Sequence, residues 1–194
     1  MERMMHRVET LMAGMNKLLI LCATLALMAA FVPGTGRSQT AALEDFDGRW
    51  SFTRAQRDRD SLEDGIDHVA DQLNLFIREI ARGEMRRRIQ PENRVVVRVH
   101  DETHVSLAMD DWGPVRFDLT ARPRRVRGPN GDHIRAGVSF RDGRLIHREV
   151  HSQGHRTNVF ALSANRRSLT MRAVIGSDQL PDEVRYRLTY RRSR

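Results

Sequence analysis

The chain has 194 residues, with 33 Lys and Arg against 25 Asp and Glu, a formal charge of +8 and one cysteine. That length allows one domain plus an appendage, and a domain of roughly 150 residues can be held by a hydrophobic core alone. A single cysteine excludes an internal disulfide framework, and the basic balance, carried after Lys17 by arginine and no lysine, favours anionic partners over cationic ones.

In chain order, Lys17 precedes an apolar run from Leu18 to Val32, fifteen residues long, which Pro33 and Gly34 end. A basic start, a short apolar core and a small-residue exit predict a secretory signal peptide over 1–36, with cleavage between 30 and 42. The run is shorter than the ~20 residues a helix needs to cross a bilayer. Cys22 sits inside the run rather than at its end, which argues against lipid attachment, and cleavage would remove the only thiol. The expected location is periplasmic or secreted, and the expected domain is a single barrel over 43–194.

Phe46, Gly48, Trp50 and Phe52 alternate with Asp47, Arg49, Ser51 and Thr53, the pattern of a strand with one buried face. The period then lengthens. Ser61 is a candidate N-cap, and Leu62, Ile66, Val69, Leu73, Phe76 and Ile80 follow at spacings of four and three, predicting one amphipathic helix over about 61–88. Packing over a barrel mouth or flank accounts for that stripe, and a dimer seam is the rival.

From Val95 onward the pattern is that of hairpins. Val95, Val97 and Val99 alternate with polar residues, as do Val105, Leu107 and Met109 and then Val115, Phe117 and Leu119. Residues 122–132 read as a basic irregular stretch, ending in the turn Gly128-Pro129-Asn130-Gly131. Ile134 to Phe140 resumes the alternation, and Asp142-Gly143 is a strong two-residue hairpin signal. Alternation is poor over Leu145 to Val150. Val159 to Leu162, Leu169 to Ile175 and Val184 to Tyr190 complete about nine strands. An up-and-down order without βαβ crossovers predicts a mainly β protein, an antiparallel meander barrel with one helix inserted between strands one and two. A two-sheet sandwich is the alternative.

Phe46-Asp47-Gly48-Arg49-Trp50 resembles the opening of lipocalins and fatty-acid-binding proteins, the calycin group. The helical insert, Asp142-Gly143-Arg144-Leu145-Ile146-His147 and the closing Arg187-Leu188-Thr189-Tyr190-Arg191 resemble the fatty-acid-binding branch. The chain is similar as well to exported bacterial proteins with this closing pattern. The resemblance implies a barrel whose mouth the insert covers. In that branch an Arg and a Tyr two apart on the last strand hold the ligand carboxylate. Here Leu188 stands two before Tyr190 and Arg187 falls on the opposite face, so the resemblance does not carry that pair over.

The interior residues expected to contact an apolar or amphiphilic ligand are Trp50, Phe52, Phe117, Phe140, Met171, Tyr186 and Tyr190. Arg122, Arg124, Arg125 and Arg127 form the densest run of charge, a candidate grip for phosphate or sulfate. His147, Glu149 and His151, two apart on one strand face, have the ligand types of a zinc site. If Asp142-Gly143 is a two-residue turn, Val138 faces His147 and the trio points inward. No nucleophile elbow, phosphate-cradling loop or Ser-His-Asp order is present. The leading expectation is an exported, non-catalytic barrel without metal or cofactor that binds a small apolar or amphiphilic molecule and no nucleic acid. The alternative is an envelope protein whose Arg-rich face binds anionic glycolipid or a partner protein, and a metal enzyme built on the His147 trio ranks third.

Overall fold

The computed structural model describes residues 41–193, with positions 111 and 130 set aside. The expected signal peptide over 1–36 and Cys22 lie outside the described residues. A 3-10 turn at Leu43–Phe46 leads into β1 (Gly48–Phe52), α1 (Gln56–Ala70) and α2 (Leu75–Arg88). Nine more strands follow: β2 (Arg94–Val99), β3 (His104–Met109), β4 (Trp112–Asp118), β5 (Arg124–Arg127), β6 (His133–Arg141), β7 (Arg144–His151), β8 (Gly154–Leu162), β9 (Ser168–Ser177) and β10 (Val184–Arg192).

All ten belong to one antiparallel sheet in the order β4-β3-β2-β1-β10-β9-β8-β7-β6-β5. Chain neighbours pair except β4 and β5, and β1 pairs β10, so the meander rolls into a barrel, nearly closed, whose two sheet ends are β4 and β5. Side chains bridge that seam. The Trp112 indole N–H donates to the Arg127 carbonyl at 2.9 Å, and the Arg124 guanidinium donates to the Arg116 carbonyl at 2.7 Å. Pro114, which lacks an N–H, is tolerated in β4 because that strand is an edge and carries a register shift there.

The lower end is sealed around Trp50. Its indole N–H donates to the Phe46 carbonyl at 3.0 Å, and the Arg192 guanidinium lies 4.5 Å above the ring. Arg192 also donates to the Asp47 carbonyl at 2.6 Å. Gly48 adopts φ 141°, a backbone conformation that side chains with a Cβ rarely adopt, so glycine is favoured there.

The insert is two helices where the sequence predicts one, and the two have different jobs. β1 pairs β10 only at residues 190–192, which leaves the upper edge of β10 without a strand partner. α1 takes that place. Asp58, wholly buried, accepts from the Thr189 N–H at 3.0 Å and the Thr189 hydroxyl at 3.1 Å. Ser61, predicted as an N-cap, is instead inside the helix and accepts from the Arg187 N–H at 3.0 Å. Gly65 then passes so close that a Cβ would lie 2.3 Å from the Arg185 carbonyl oxygen. Helix positions three and four apart thus serve strand positions two apart, and α1 acts as a piece of wall. Its inner stripe, Leu62, Ile66 and Val69, is buried in the core.

α1 stops at Ala70, and Asn74 restarts the helix by accepting from the Phe76 and Ile77 N–H groups at 3.0 and 3.3 Å. Beyond this break the predicted stripe does not stay buried. Phe76 is 91% and Ile80 73% exposed, because α2 turns its other side, Ile77, Ala81 and Met85, to the barrel mouth.

Two further differences have one cause. Residues 124–127 form strand β5 rather than part of an irregular stretch, and β8 begins at Gly154 rather than Val159. In both, polar side chains occupy positions on the inward side of the alternation, so the period-2 signal is lost where the strand is real.

Candidate ligand site at the barrel mouth

Register stacks the inner side chains of β6 to β10 in layers. The lowest of three holds Phe140, Leu145, Phe160, Met171 and Leu188, all apolar. The next holds Val138, His147, Asn158, Ala173 and Tyr186. The uppermost holds Ala136, Glu149, Arg156, Ile175 and Val184. Polarity therefore rises toward the mouth, while the lower half is packed solid around Trp50, Phe160, Met171 and Tyr190.

Arg156 organises the polar layer. It donates to Glu92 Oε1 at 2.9 Å, to Asn158 Oδ1 at 3.1 Å and to the Tyr186 hydroxyl at 3.4 Å, and its strand partner is Glu149. Burial alone would weaken the guanidinium's hold on its proton. The neighbouring Tyr186, Glu92 and Glu149 outweigh it and keep Arg156 charged, its pKa above the ordinary value. Burial pushes the Glu92 carboxyl up, against the opposing pull of Arg156. Burial also raises the Tyr186 phenol, so it stays neutral while its oxygen accepts from Arg156.

The zinc-type trio points inward, in the register the Asp142-Gly143 turn implies: Val138 faces His147. What it forms is a chain of contacts with Glu149 in the middle. Glu149 Oε1 is 3.5 Å from His147 Nδ1, and Glu149 Oε2 is 3.3 Å from His151 Nε2. Burial works to raise the Glu149 carboxyl, but the His151 hydrogen bond and the adjacent His147 and Arg156 bring it below its ordinary value. Among the described residues no group of three His, Cys, Asp or Glu is placed to hold a metal ion. His147 is fully buried between the rings of Trp112 and Phe117, with centroids at 5.3 and 5.8 Å, and neither ring nitrogen has a hydrogen-bond partner. Burial brings its pKa down to about 4, so the imidazole is neutral near pH 7.

Above this cluster lies an open cavity of about 650 Å³. Phe52, Ile89, Ile175 and Tyr186 supply apolar surface, and Arg54, Arg59, Arg88 and Arg156 stand against Glu92 and Asp110 in its lining. A second cavity of about 590 Å³ shares Arg88, Ile89, Arg156 and Ile175 and runs beneath α2 to Leu180 and Gly176. The helix C-terminus, with Ile89 after it, divides the mouth into these two halves.

Of the residues expected to meet a ligand, all seven lie on the inward side of the wall, but only Phe52 and Tyr186 border the first cavity. Trp50, Phe117, Met171 and Tyr190 are packed into the core, and Phe140 meets Phe46 edge-on at 5.9 Å. The run Arg122, Arg124, Arg125 and Arg127 does not converge on one point. Arg124 turns to the seam, while Arg125 and Arg127 project outward from β5. The sequence reading missed Arg156, Glu92 and Asn158. The available signal was the turn at 152–153, which places Glu149 opposite Arg156 once both strands are extended to it.

No protein-family model and no curated protein matches the chain. Among solved structures, a secretary abundant heat soluble protein from Ramazzottius varieornatus matches at a TM-score of 0.50 and 12% identity, over 77% of this chain and 96% of that one. The fold is a calycin-like barrel. Lower similarity is found to lipid binding protein 8 of Caenorhabditis elegans, at a TM-score of 0.47 and 14% identity over 79% of this chain and 99% of that one. Fatty-acid-binding protein 1 of Echinococcus granulosus matches at a TM-score of 0.46 and 12% identity, over 78% of this chain and 100% of that one.

Proposed function

We propose that this calycin-like barrel binds one amphiphilic small molecule at its mouth, without chemistry, and does so after export. The observation that carries the reading is the charged Arg156 guanidinium, held at the floor of a cavity of about 650 Å³ whose walls include Phe52, Ile89 and Ile175. That volume falls in the range of small-molecule sites, and apolar walls with a few fixed polar groups are their usual make-up. Four arginines against two carboxylates in the lining favour an anionic head group. The packed lower barrel limits the ligand to the upper half. His147, the best-placed base, is absent from the cavity lining and packed between aromatic rings, which supports a carrier over an enzyme. The apolar run Leu18 to Val32 supports export.

The test is a displacement titration with a fluorescent fatty acid, next to native mass spectrometry of protein purified from its own host. Arg88→Gln and Arg59→Gln, at the rim, should weaken a carboxylate ligand by roughly tenfold and leave the corresponding alcohol unchanged. Failure of both the carboxylate and the alcohol to bind, with no small molecule carried through purification, would overturn the reading.

A further inference from the structure

The charge of this protein is not spread evenly. Strands β5 to β10 contain thirteen arginines and one acidic residue, Glu149, which faces inward. The turns between these strands carry Asp132, Asp142, Asp178, Asp182 and Glu183, of which Glu183 pairs with Arg185, and the remaining described carboxylates, Glu149 apart, lie before β5. On the outer wall, Arg187 stands directly opposite Arg172, and Arg125 directly opposite Arg135. Like charges so placed repel across a sheet. Arg125, Arg135, Arg148, Arg172 and Arg187 are all exposed, and among the described residues none has a carboxylate within ion-pair distance. Between them the same wall presents Ile146, Val150, Val159 and Val174, with Val150 50% exposed.

We infer that the outer wall of β5 to β10 is a docking face for an anionic lipid bilayer. Six strands at ~4.8 Å spacing span about 24 Å measured along the curved wall. Over it, guanidinium groups lie in two dimensions, as phosphate head groups do in a membrane, and each matches a phosphate in bidentate fashion. Among the described residues no Phe, Tyr or Trp faces outward on β6 to β9 to stack bases, so the pattern suits a lipid surface better than a nucleic acid. The interleaved aliphatic side chains suit the boundary beneath the head groups. This face is separate from the mouth cavity, so binding there does not depend on the ligand proposed above.

The test is co-sedimentation of protein purified from its own host with phosphatidylcholine vesicles, with and without phosphatidylglycerol. Binding should require phosphatidylglycerol and fall as salt shortens the screening length below the ~8 Å of physiological ionic strength. A variant combining Arg125→Gln, Arg135→Gln, Arg172→Gln and Arg187→Gln should partition more than a hundredfold less, at about fivefold per arginine. The pair Arg172→Gln with Arg187→Gln should lose roughly twentyfivefold on the same basis, with a melting temperature equal to or above that of the parent. The charge-matched control Arg49→Gln, Arg57→Gln, Arg87→Gln and Arg98→Gln should lose less than tenfold. Equal binding to vesicles lacking phosphatidylglycerol, an equal loss in the control, or binding to heparin or RNA but not to vesicles would each overturn the inference.

Discussion

His147 is the residue least at ease in this fold. Its imidazole is out of water, flanked by Trp112 and Phe117, with two ring nitrogens unpartnered and Glu149 Oε1 3.5 Å away. The ordinary histidine value is 6.5, and burial brings that of His147 down to about 4. Between those values the unfolded chain holds a proton that the folded chain refuses, so this group removes stability as pH falls from about 6.5 toward 4, by on the order of 3 kcal/mol at most. Glu92 and His151 act in the opposite sense, because their folded pKa values are raised, the first by burial and the second by its hydrogen bond to Glu149. Replacing His147 with leucine isolates the one contribution. We expect His147→Leu to be as stable as the parent or more so at pH 7, by about 1–3 kcal/mol, since an unpaired buried polar group is removed. Below pH 6.5 the advantage should widen. Urea unfolding of both proteins at pH 7 and pH 5 measures it, and an advantage that shrinks on acidification would show that His147 finds a partner in solution.

At the scale of elements, the two helices of the insert make opposite predictions. α1 completes the barrel wall along β10, where Asp58, Ser61 and Gly65 meet residues 189, 187 and 185 in turn. Gly65→Val puts a branched side chain against backbone that cannot move without opening the wall, so a loss of at least about 3 kcal/mol is expected. α2 lies over the mouth with Leu75, Phe76 and Ile80 in solvent. Phe76→Ser should therefore change stability by no more than about 0.5 kcal/mol and lower the fluorescence of an apolar dye on the native protein. Chemical denaturation and dye titration on the two variants check both halves. A costly Phe76→Ser would mean that this helix face is buried against something in solution, and the dimer seam would be the first candidate, tested by sedimentation.

At the scale of the whole molecule, the sheet has two ends. β4 bonds only to β3 and β5 only to β6, and the seam between them is spanned by the indole of Trp112 and the guanidinium of Arg124. β8, β9 and β10 are each paired along most of their length on a continuous core of Phe160, Met171 and Leu188. Local opening should start at the seam. In native hydrogen exchange, the amides of β5 and β4 should exchange first and those of β9 last. Slowest exchange in β5 would contradict this order.

Local patterning alone specifies the meander. Alternating apolar rows such as Val95, Val97 and Val99, or Leu169, Met171 and Ala173, together with turns such as Asp142-Gly143, specify strands, their order and which face is buried, because a period of two and a tight turn leave one register that hides the row. The barrel and the inserted helical segment were legible on those grounds, as was the inward aim of His147. The polar floor of the mouth was not. Arg156, Asn158 and Glu149 occupy inward positions that local patterning assigns to apolar residues, and only the closed wall brings Glu92, from before β2, to Arg156 on β8. The division of the insert was hidden for a related reason. Leu62 and Phe76 carry the same helical signal, but the free edge of β10, left where β1 ends, draws α1 into the wall, while Asn74 restarts the chain in a direction that leaves Phe76 outside. Local pattern is set by neighbours a few residues apart, whereas burial of a given face depends on which distant strand edge is left unpaired. That edge exists only once the barrel has closed.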